Sequence, residues 1–210
     1  MSAKKTIYII RHGETDYNKQ GIVQGGGIDS SLNELGRQQA LYFYQAYRHI
    51  EFDRIYTSEL KRTHQSVAPY LQAGFHHRIL PELNEINWGF FEGLKGNAAS
   101  NKVYKAMIND WSSGLLDRSI EGGESPNSVF KRQKLGLQKI LSTDDKTILI
   151  CMHGRALRIL MCLLTDTPLR EMDQFHHQNL TLYQLEYDGQ KFEIIKACLL
   201  YTSDAADEVV

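Results

Sequence analysis

Residues 6–15 read Thr6-Ile7-Tyr8-Ile9-Ile10-Arg11-His12-Gly13-Glu14-Thr15, a short apolar run that breaks directly into Arg-His-Gly. A strand ending this way presents a guanidinium and an imidazole at the carboxyl edge of a sheet, where open α/β folds bind ligands. Far downstream, Thr147-Ile148-Leu149-Ile150-Cys151-Met152-His153-Gly154-Arg155 repeats the pattern. Two strands, each ending in His-Gly beside an arginine, imply one anion site built from both. That points to chemistry on a phosphoryl group with histidine as the nucleophile.

Outward from these two strands, strand and helix patterns alternate along the chain. The reading is a three-layer α/β/α sandwich with a mostly parallel sheet. Strands are expected at Thr6 to Ile10, Arg54 to Thr57, Arg78 to Leu80 and Thr147 to Met152. Helices are expected from Leu32 to about His49, with Ser31 or Asn33 at the cap, and from a Ser58 cap through Tyr70. Further helices are expected over Asn101 to Trp111, Pro126 to Leu141 with proline in its first turn, and Arg155 to Leu164. Thr181 to Tyr187 and Phe192 to Ala197 flank Asp188-Gly189, a hairpin signal. Residues 1–197 read as a single domain. Within it, residues 86–125, rich in Gly, Asn and Ser, read as an excursion capping the site.

Composition bounds the function. The chain has 210 residues with 42% apolar content, enough for a real core in one domain. No apolar run approaches the roughly 18 residues needed to span a bilayer, and the start Met-Ser-Ala-Lys-Lys does not read as a signal peptide. Cys151, Cys162 and Cys198 have no Cys-x-x-Cys spacing, so a disulfide framework or zinc knuckle is not expected and a reducing cytoplasm is. A net charge of −1 gives no nucleic-acid or membrane footprint. The expected partner is a small phosphorylated metabolite, with monomer and homodimer both open. Residues 198–210 resemble the in-frame translation of a sequencing-library adapter and are excluded from fold reasoning. Without Asp204, Asp207 and Glu208 the net charge of −1 becomes +2.

Arg11 and Arg62 are the candidate phosphate clamps. A guanidinium offers paired hydrogen bonds to phosphate oxygens and keeps its charge, so it stabilises a phosphoryl transition state without metal. Arg62 lies one turn into a helix that follows a strand, and so can point back over the sheet edge. His153, protonated, is expected to donate to a phosphoryl oxygen, with Gly154 allowing a tight turn. Glu85, in Leu83-Asn84-Glu85-Ile86-Asn87-Trp88-Gly89, is the candidate general acid; one carboxyl can protonate the leaving alkoxide and then deprotonate the attacking water. Glu14, Glu82 and Glu92 compete for that role on composition alone. His76-His77 and His176-His177 are adjacent in sequence and read as bystanders, because adjacent residues do not face one ligand on regular structure. Gly25-Gly26-Gly27 lacks the Lys-Ser/Thr ending of a P-loop and reads as a flexible rim. Tyr42, Phe43, Tyr44 and Tyr47 read as a core-facing aromatic stripe.

Arg11-His12-Gly13-Glu14-Thr15, Asn18, Gly21 to Gly25, Leu32-Asn33-Glu34-Leu35-Gly36 and Gln39-Ala40 together resemble the N-terminal signature of the histidine phosphatase superfamily, the phosphoglycerate mutase-like fold. Ser58 to Thr63, Leu83 to Gly93 and His153-Gly154 follow in that family's order. The resemblance implies that His12 becomes phosphohistidine, that Arg11, Arg62 and His153 hold the phosphoryl group, and that Glu85 moves the proton. Asn18, the backbone near Gly25, and Gly154 would line the pocket. Glu92 matches a recurring glutamate of the family, and Arg155 is either a third cationic contact or a residue pointing outward. No metal and no cofactor are implied. Glu85 and His153 are separated without an Arg-Arg pair between them, which fits the phosphatase branch. The alternatives are a phosphoglycerate mutase and a non-catalytic phospho-ligand module. Candidate substrates are α-ribazole phosphate, a sugar phosphate, phosphoglycerate, or a broad set of monoesters.

Overall fold

Six strands form one sheet in the order β3-β2-β4-β1-β5-β6 in the computed structural model, which describes residues 4–198. The strands are β1 Lys5–Arg11, β2 Arg54–Thr57, β3 His77–Ile79, β4 Thr147–Met152, β5 Leu182–Tyr187 and β6 Phe192–Cys198. β3, β2, β4 and β1 run parallel. β5 lies antiparallel to β1, and β6 antiparallel to β5. The final strand ends on Cys198, one residue past the domain limit read from sequence; the proposed adapter tail otherwise lies outside the described residues.

The helices are α1 Asp16–Gln20, α2 Glu34–Tyr47, α3 Lys61–Ser66, α4 Ala68–Gln72, α5 Ala98–Ser112, α6 Pro126–Leu141 and α7 Gly154–Thr165. Two-residue alternation on the strands divides the core between the faces of the sheet. Tyr8, Ile10, Leu149 and Cys151 face Phe43 of α2 with Val67 and Tyr70. Ile7, Ile9, Ile148, Ile150 and Met152 face α6 and α7 through Val129, Leu137, Leu157 and Leu160. The connection leaving β1 therefore covers one face and the helix leaving β4 covers the other. Their divergence makes the carboxyl ends of β1 and β4 the topological switch point, the position at which such sheets bind ligands.

Several boundaries differ from the sequence reading. The helix expected from Ser58 to Tyr70 is two short helices meeting at Val67, because Pro69 lies in the first turn of α4 and restricts the residues before it. Its N-cap is Leu60, with no side-chain hydrogen bond. For α2 the cap is Asn33, whose side chain accepts from the Gly36 amide. Of the aromatic stripe, Phe43 is buried but Tyr42 is 53% exposed. Within residues 86–125, Trp88, Phe91, Met107 and Trp111 all join the α6–α7 core, and the Trp88 and Trp111 rings stack at 5.7 Å.

Candidate active site

The register of β1 on β4 pairs Arg11 with Met152, which brings the next residues, His12 and His153, side by side. Their ring centroids lie 5.2 Å apart. One further ladder bond, His12 N–H to Met152 O at 2.9 Å, fixes the loop that carries His12 where the strand ends. The following turn is held by close backbone contacts. A Cβ on Gly13 would sit 2.6 Å from Gly36 O, and one on Gly36 would sit 2.1 Å from Glu14 O. Only glycine fits both places, which explains the Gly in each motif. Gly13 N–H donates to Ser66 Oγ at 2.8 Å, tying the loop to α3.

His12 is buried, and its Nδ1 lies 2.7 Å from Gly13 O. A carbonyl only accepts, so Nδ1 carries the proton and Nε2 presents a lone pair. Burial holds the imidazole well below the usual histidine range, reinforced by Arg62 and Arg11. It is therefore neutral near pH 7.

Arg62, fully buried on α3, donates from Nε to His153 Nδ1 at 3.2 Å, from Nη1 to Ile28 O at 2.6 Å and from Nη2 to Gly25 O at 3.2 Å. Burial pushes its pKa down to about 10, opposed by Glu85, Asp29 and Glu92, so it stays charged at pH 7. Arg11 has a different unmet need. Its Nη1 contacts His177 Nδ1 at 3.3 Å, while its Nε is a buried donor without a partner among the described residues. An unpaired buried donor costs about 1–3 kcal/mol, which a bound anion would recover.

His153 differs from its sequence reading. Arg62 can only donate, so His153 Nδ1 accepts and Nε2 bears the hydrogen. Nε2 meets Ser58 Oγ at 2.8 Å. Thr63 Oγ1 donates to Leu60 O, so Ser58 spends its own hydrogen on Thr63 and accepts from His153. Both ring nitrogens are thus engaged, and burial beside Arg62 keeps the ring neutral. The protonated donor expected from sequence is not the state of the free site, because burial and a neighbouring cation both disfavour it.

Glu85 is buried, and its carboxylate caps α7. Oε1 accepts from Ile86 N–H at 2.9 Å and Ala156 N–H at 2.8 Å; Oε2 accepts from Arg155 N–H at 3.1 Å. Oε2 therefore retains a lone pair for a proton. The competing acids are occupied elsewhere. Glu14 braces Asn33, Glu82 pairs with Lys139, and Glu92 accepts from Trp88 N–H at 2.9 Å.

Asn18 sits in α1, where its Oδ1 accepts from Thr15 N–H at 3.3 Å and from Asn179 Nδ2 at 3.3 Å. Asn179 also donates to His12 O at 2.9 Å, so Asn18 reaches the His12 loop through it. Gly25 is buried, not part of a flexible rim: its carbonyl accepts from Arg62, Gly26 N–H donates to Ile86 O at 3.1 Å, and Glu92 and Trp88 pack against it. Gly154 is the first residue of α7, and no positive φ explains it. A Cβ there would lie 2.7 Å from His177 Cε1, so the glycine makes room for that ring.

Arg155 points neither into the pocket as a third clamp nor outward. It is buried, with Nη1 on Asp173 at 2.5 Å, Nη2 on Tyr104 OH at 3.1 Å and its guanidinium 5.6 Å from the Trp111 ring. His177 is the site residue that sequence reasoning missed. No local pattern marks it; the antiparallel return of β5 alongside β1 brings its loop to Arg11. Among the described residues no cluster of His, Cys, Asp and Glu has the arrangement of a metal site, and no helix is long and apolar enough to cross a membrane.

Comparison with known proteins shows the family. Residues 7–198 match the model of the histidine phosphatase superfamily, branch 1. Phosphoserine phosphatase 1 of Hydrogenobacter thermophilus is 26% identical, covering 90% of each chain. Probable phosphoglycerate mutase GpmB of Erwinia tasmaniensis is 29% identical over 86% of this chain and 84% of its own. Among solved structures, Bacillus stearothermophilus YhfR superposes with a TM-score of 0.78 at 29% identity, covering 91% of this chain and 95% of its own.

Proposed function

The chain belongs to branch 1 of the histidine phosphatase superfamily and is an enzyme of that type, and from that premise we propose that it hydrolyses small phosphomonoesters through a phosphohistidine on His12, without metal. The observation that carries this reading is the His12 tautomer: Nδ1–H is committed to Gly13 O, leaving Nε2 as a neutral, unpaired nucleophile among cationic donors.

In the first step the Nε2 lone pair attacks phosphorus and the bond to the leaving oxygen breaks. That oxygen takes the proton held on Glu85 Oε2 and departs as an alcohol. The phosphoryl oxygens complete the unfilled Arg11 Nε and draw Arg62 away from His153 Nδ1, which donates to them in turn once it has taken up a proton, a change that the incoming dianion favours. Gly13 O stabilises the positive charge that phosphorylation places on the imidazole. In the second step Glu85, now a carboxylate, removes a proton from water as it attacks phosphorus. The P–N bond breaks, inorganic phosphate forms and His12 returns to its starting tautomer. Arg11 and Arg62 supply the charge that Mg²⁺ supplies in other phosphoryl-transfer enzymes.

The test is trapping. Brief incubation with a ³²P-labelled monoester and denaturation in base should leave an acid-labile, base-stable label, absent together with turnover in His12→Ala. A label that survives in that variant overturns the assignment. The mutase reading uses the same residues and is decided by whether the phosphoryl group reaches water or returns to substrate.

A further inference from the structure

We propose that His177, oriented by Arg11 and backed by Arg158, reads a second negatively charged group on the substrate, so that the site prefers small phosphomonoesters bearing a carboxylate or a second phosphoryl group a few bonds from the reacting one. This rests on the phosphatase reading above and names the substrate class of that site.

The loop carrying His177 is held on both sides of the ring. Before it, Arg158 Nε donates to Phe175 O at 3.1 Å and Tyr183 OH to His176 O at 2.5 Å; after it, Asn179 Nδ2 donates to His12 O at 2.9 Å and Leu180 N–H to Arg11 O at 3.1 Å. The ring lies over the Cα of Gly154, at the start of the helix whose first amides hold Glu85. It therefore borders the side of the pocket from which the leaving group takes its proton. Arg11 can only donate, so His177 Nδ1 accepts and the ring hydrogen lies on Nε2. Among the described residues Nε2 has no partner, and the residue is only partly buried. A ring N–H held beside Arg11 and the start of α7 is thus left with no acceptor among the described residues.

The charges around it are positive on balance. Arg155 and Arg158, three residues apart on α7, both donate to the single carboxylate of Asp173. That carboxylate is 42% exposed, whereas Arg155 is 7% and Arg158 20% exposed. Water weakens the anion more than it weakens the two cations. Arg158 Nε also donates to Phe175 O at 3.1 Å, which seats its guanidinium beneath the His177 loop. The other carboxylate close by, Glu85, is committed to three backbone amides. The field at the ring registers this excess: burial, then Arg11, Arg158 and Arg155, push the His177 pKa down to about 3. A neutral donor in a positive field favours an anionic acceptor, and a hydrogen bond to a charged acceptor is about twice as strong as one to a neutral acceptor.

Binding of substrate-like phosphonates to the full chain, measured by titration calorimetry at pH 7.5, tests this without turnover. The probes are propylphosphonate, 3-phosphonopropionate, which places a carboxylate where the first has a methyl, and ethane-1,2-bisphosphonate. At least one dianion-plus-anion probe should bind about tenfold or more tightly than propylphosphonate. The arm that tightens identifies the group as carboxylate, phosphoryl or either. His177→Phe, which keeps a flat ring against Gly154, and Arg158→Met should each bring that ratio toward one. The Tm of each variant, measured beside wild type, reports that it has folded. Equal affinity of all three probes, or a ratio unchanged in both variants, overturns the proposal. Hydrolysis of p-nitrophenyl phosphate, measured separately, decides the phosphatase reading, so the two can fail independently.

Discussion

Glu85→Gln separates the chemical role of the carboxyl from its structural one. The wild-type oxygens accept three backbone N–H groups and donate to none. An amide keeps one acceptor, best placed on the two amides of Ile86 and Ala156, and turns its NH₂ toward Arg155 N–H. That loses one buried hydrogen bond and opposes two donors, a cost of about 1–3 kcal/mol. For a chain of this size 2 kcal/mol corresponds to a fall in Tm of roughly 4–8 °C. The catalytic effect is larger and selective. A positioned acid contributes about 10²–10⁴-fold, but only where the leaving oxygen needs a proton. The assay is kcat/KM for a graded series running from p-nitrophenyl phosphate through phenyl phosphate to glycerol phosphate, on protein whose Tm has been measured. Slowing should grow from under about tenfold at p-nitrophenolate to the full catalytic factor at the alkoxide. Equal slowing along the series, at any Tm, refutes the proton role and leaves Glu85 as a cap on α7. A steeper series in Glu92→Gln would move the assignment there.

Three other outcomes follow from the same geometry. Exhaustive EDTA treatment should leave turnover intact, because guanidinium groups complete the charge of the pocket; activity lost to chelation and restored by a divalent ion would contradict this. With 3-phosphoglycerate and 2,3-bisphosphoglycerate supplied together, phosphate release should outrun isomerisation, and many isomerisations per phosphate lost would place the enzyme among the mutases. Stability should fall with acidity: His12, His153 and His177 are all held below their ordinary pKa, so below about pH 6.5 the unfolded chain binds more protons than the native one. Each contributes up to about 1.4 kcal/mol per pH unit from there down to its folded value, and that loss is absent above about pH 7.5. Tm should drop by about 5 °C or more between pH 7.5 and 5.5, and a level or rising Tm would show that these rings are not buried neutral.

What could be read from the sequence was what local chemistry dictates. Residues 7–10 and 148–152 are apolar throughout because parallel strands are covered on both faces, and the two sheet-edge histidines follow from that. Pro126 announced α6, whose bounds Pro126–Leu141 are those read from the sequence. The break at Val67 was visible in Pro69 but outweighed by the helical pattern around it. Contacts between segments far apart in the chain were not legible. The reason for Gly154 lies 23 positions away, in the His177 ring, and the partner of Arg155 is a tyrosine in α5. His176-His177 looked inert because adjacency in a sequence says nothing about which member of a pair a neighbouring strand will turn inward.

Arg155 has one further consequence. Its main-chain amide holds the carboxylate of Glu85, and its side chain holds Tyr104 of α5 and Asp173. A single residue is therefore both a bracket for the candidate acid and an anchor for α5. Altering α5 leaves that bracket undisturbed only where Tyr104 and Asp173 are kept. Replacing either slackens the anchor, and the slack is delivered to the acid, so selectivity and rate would drift together instead of being tuned apart.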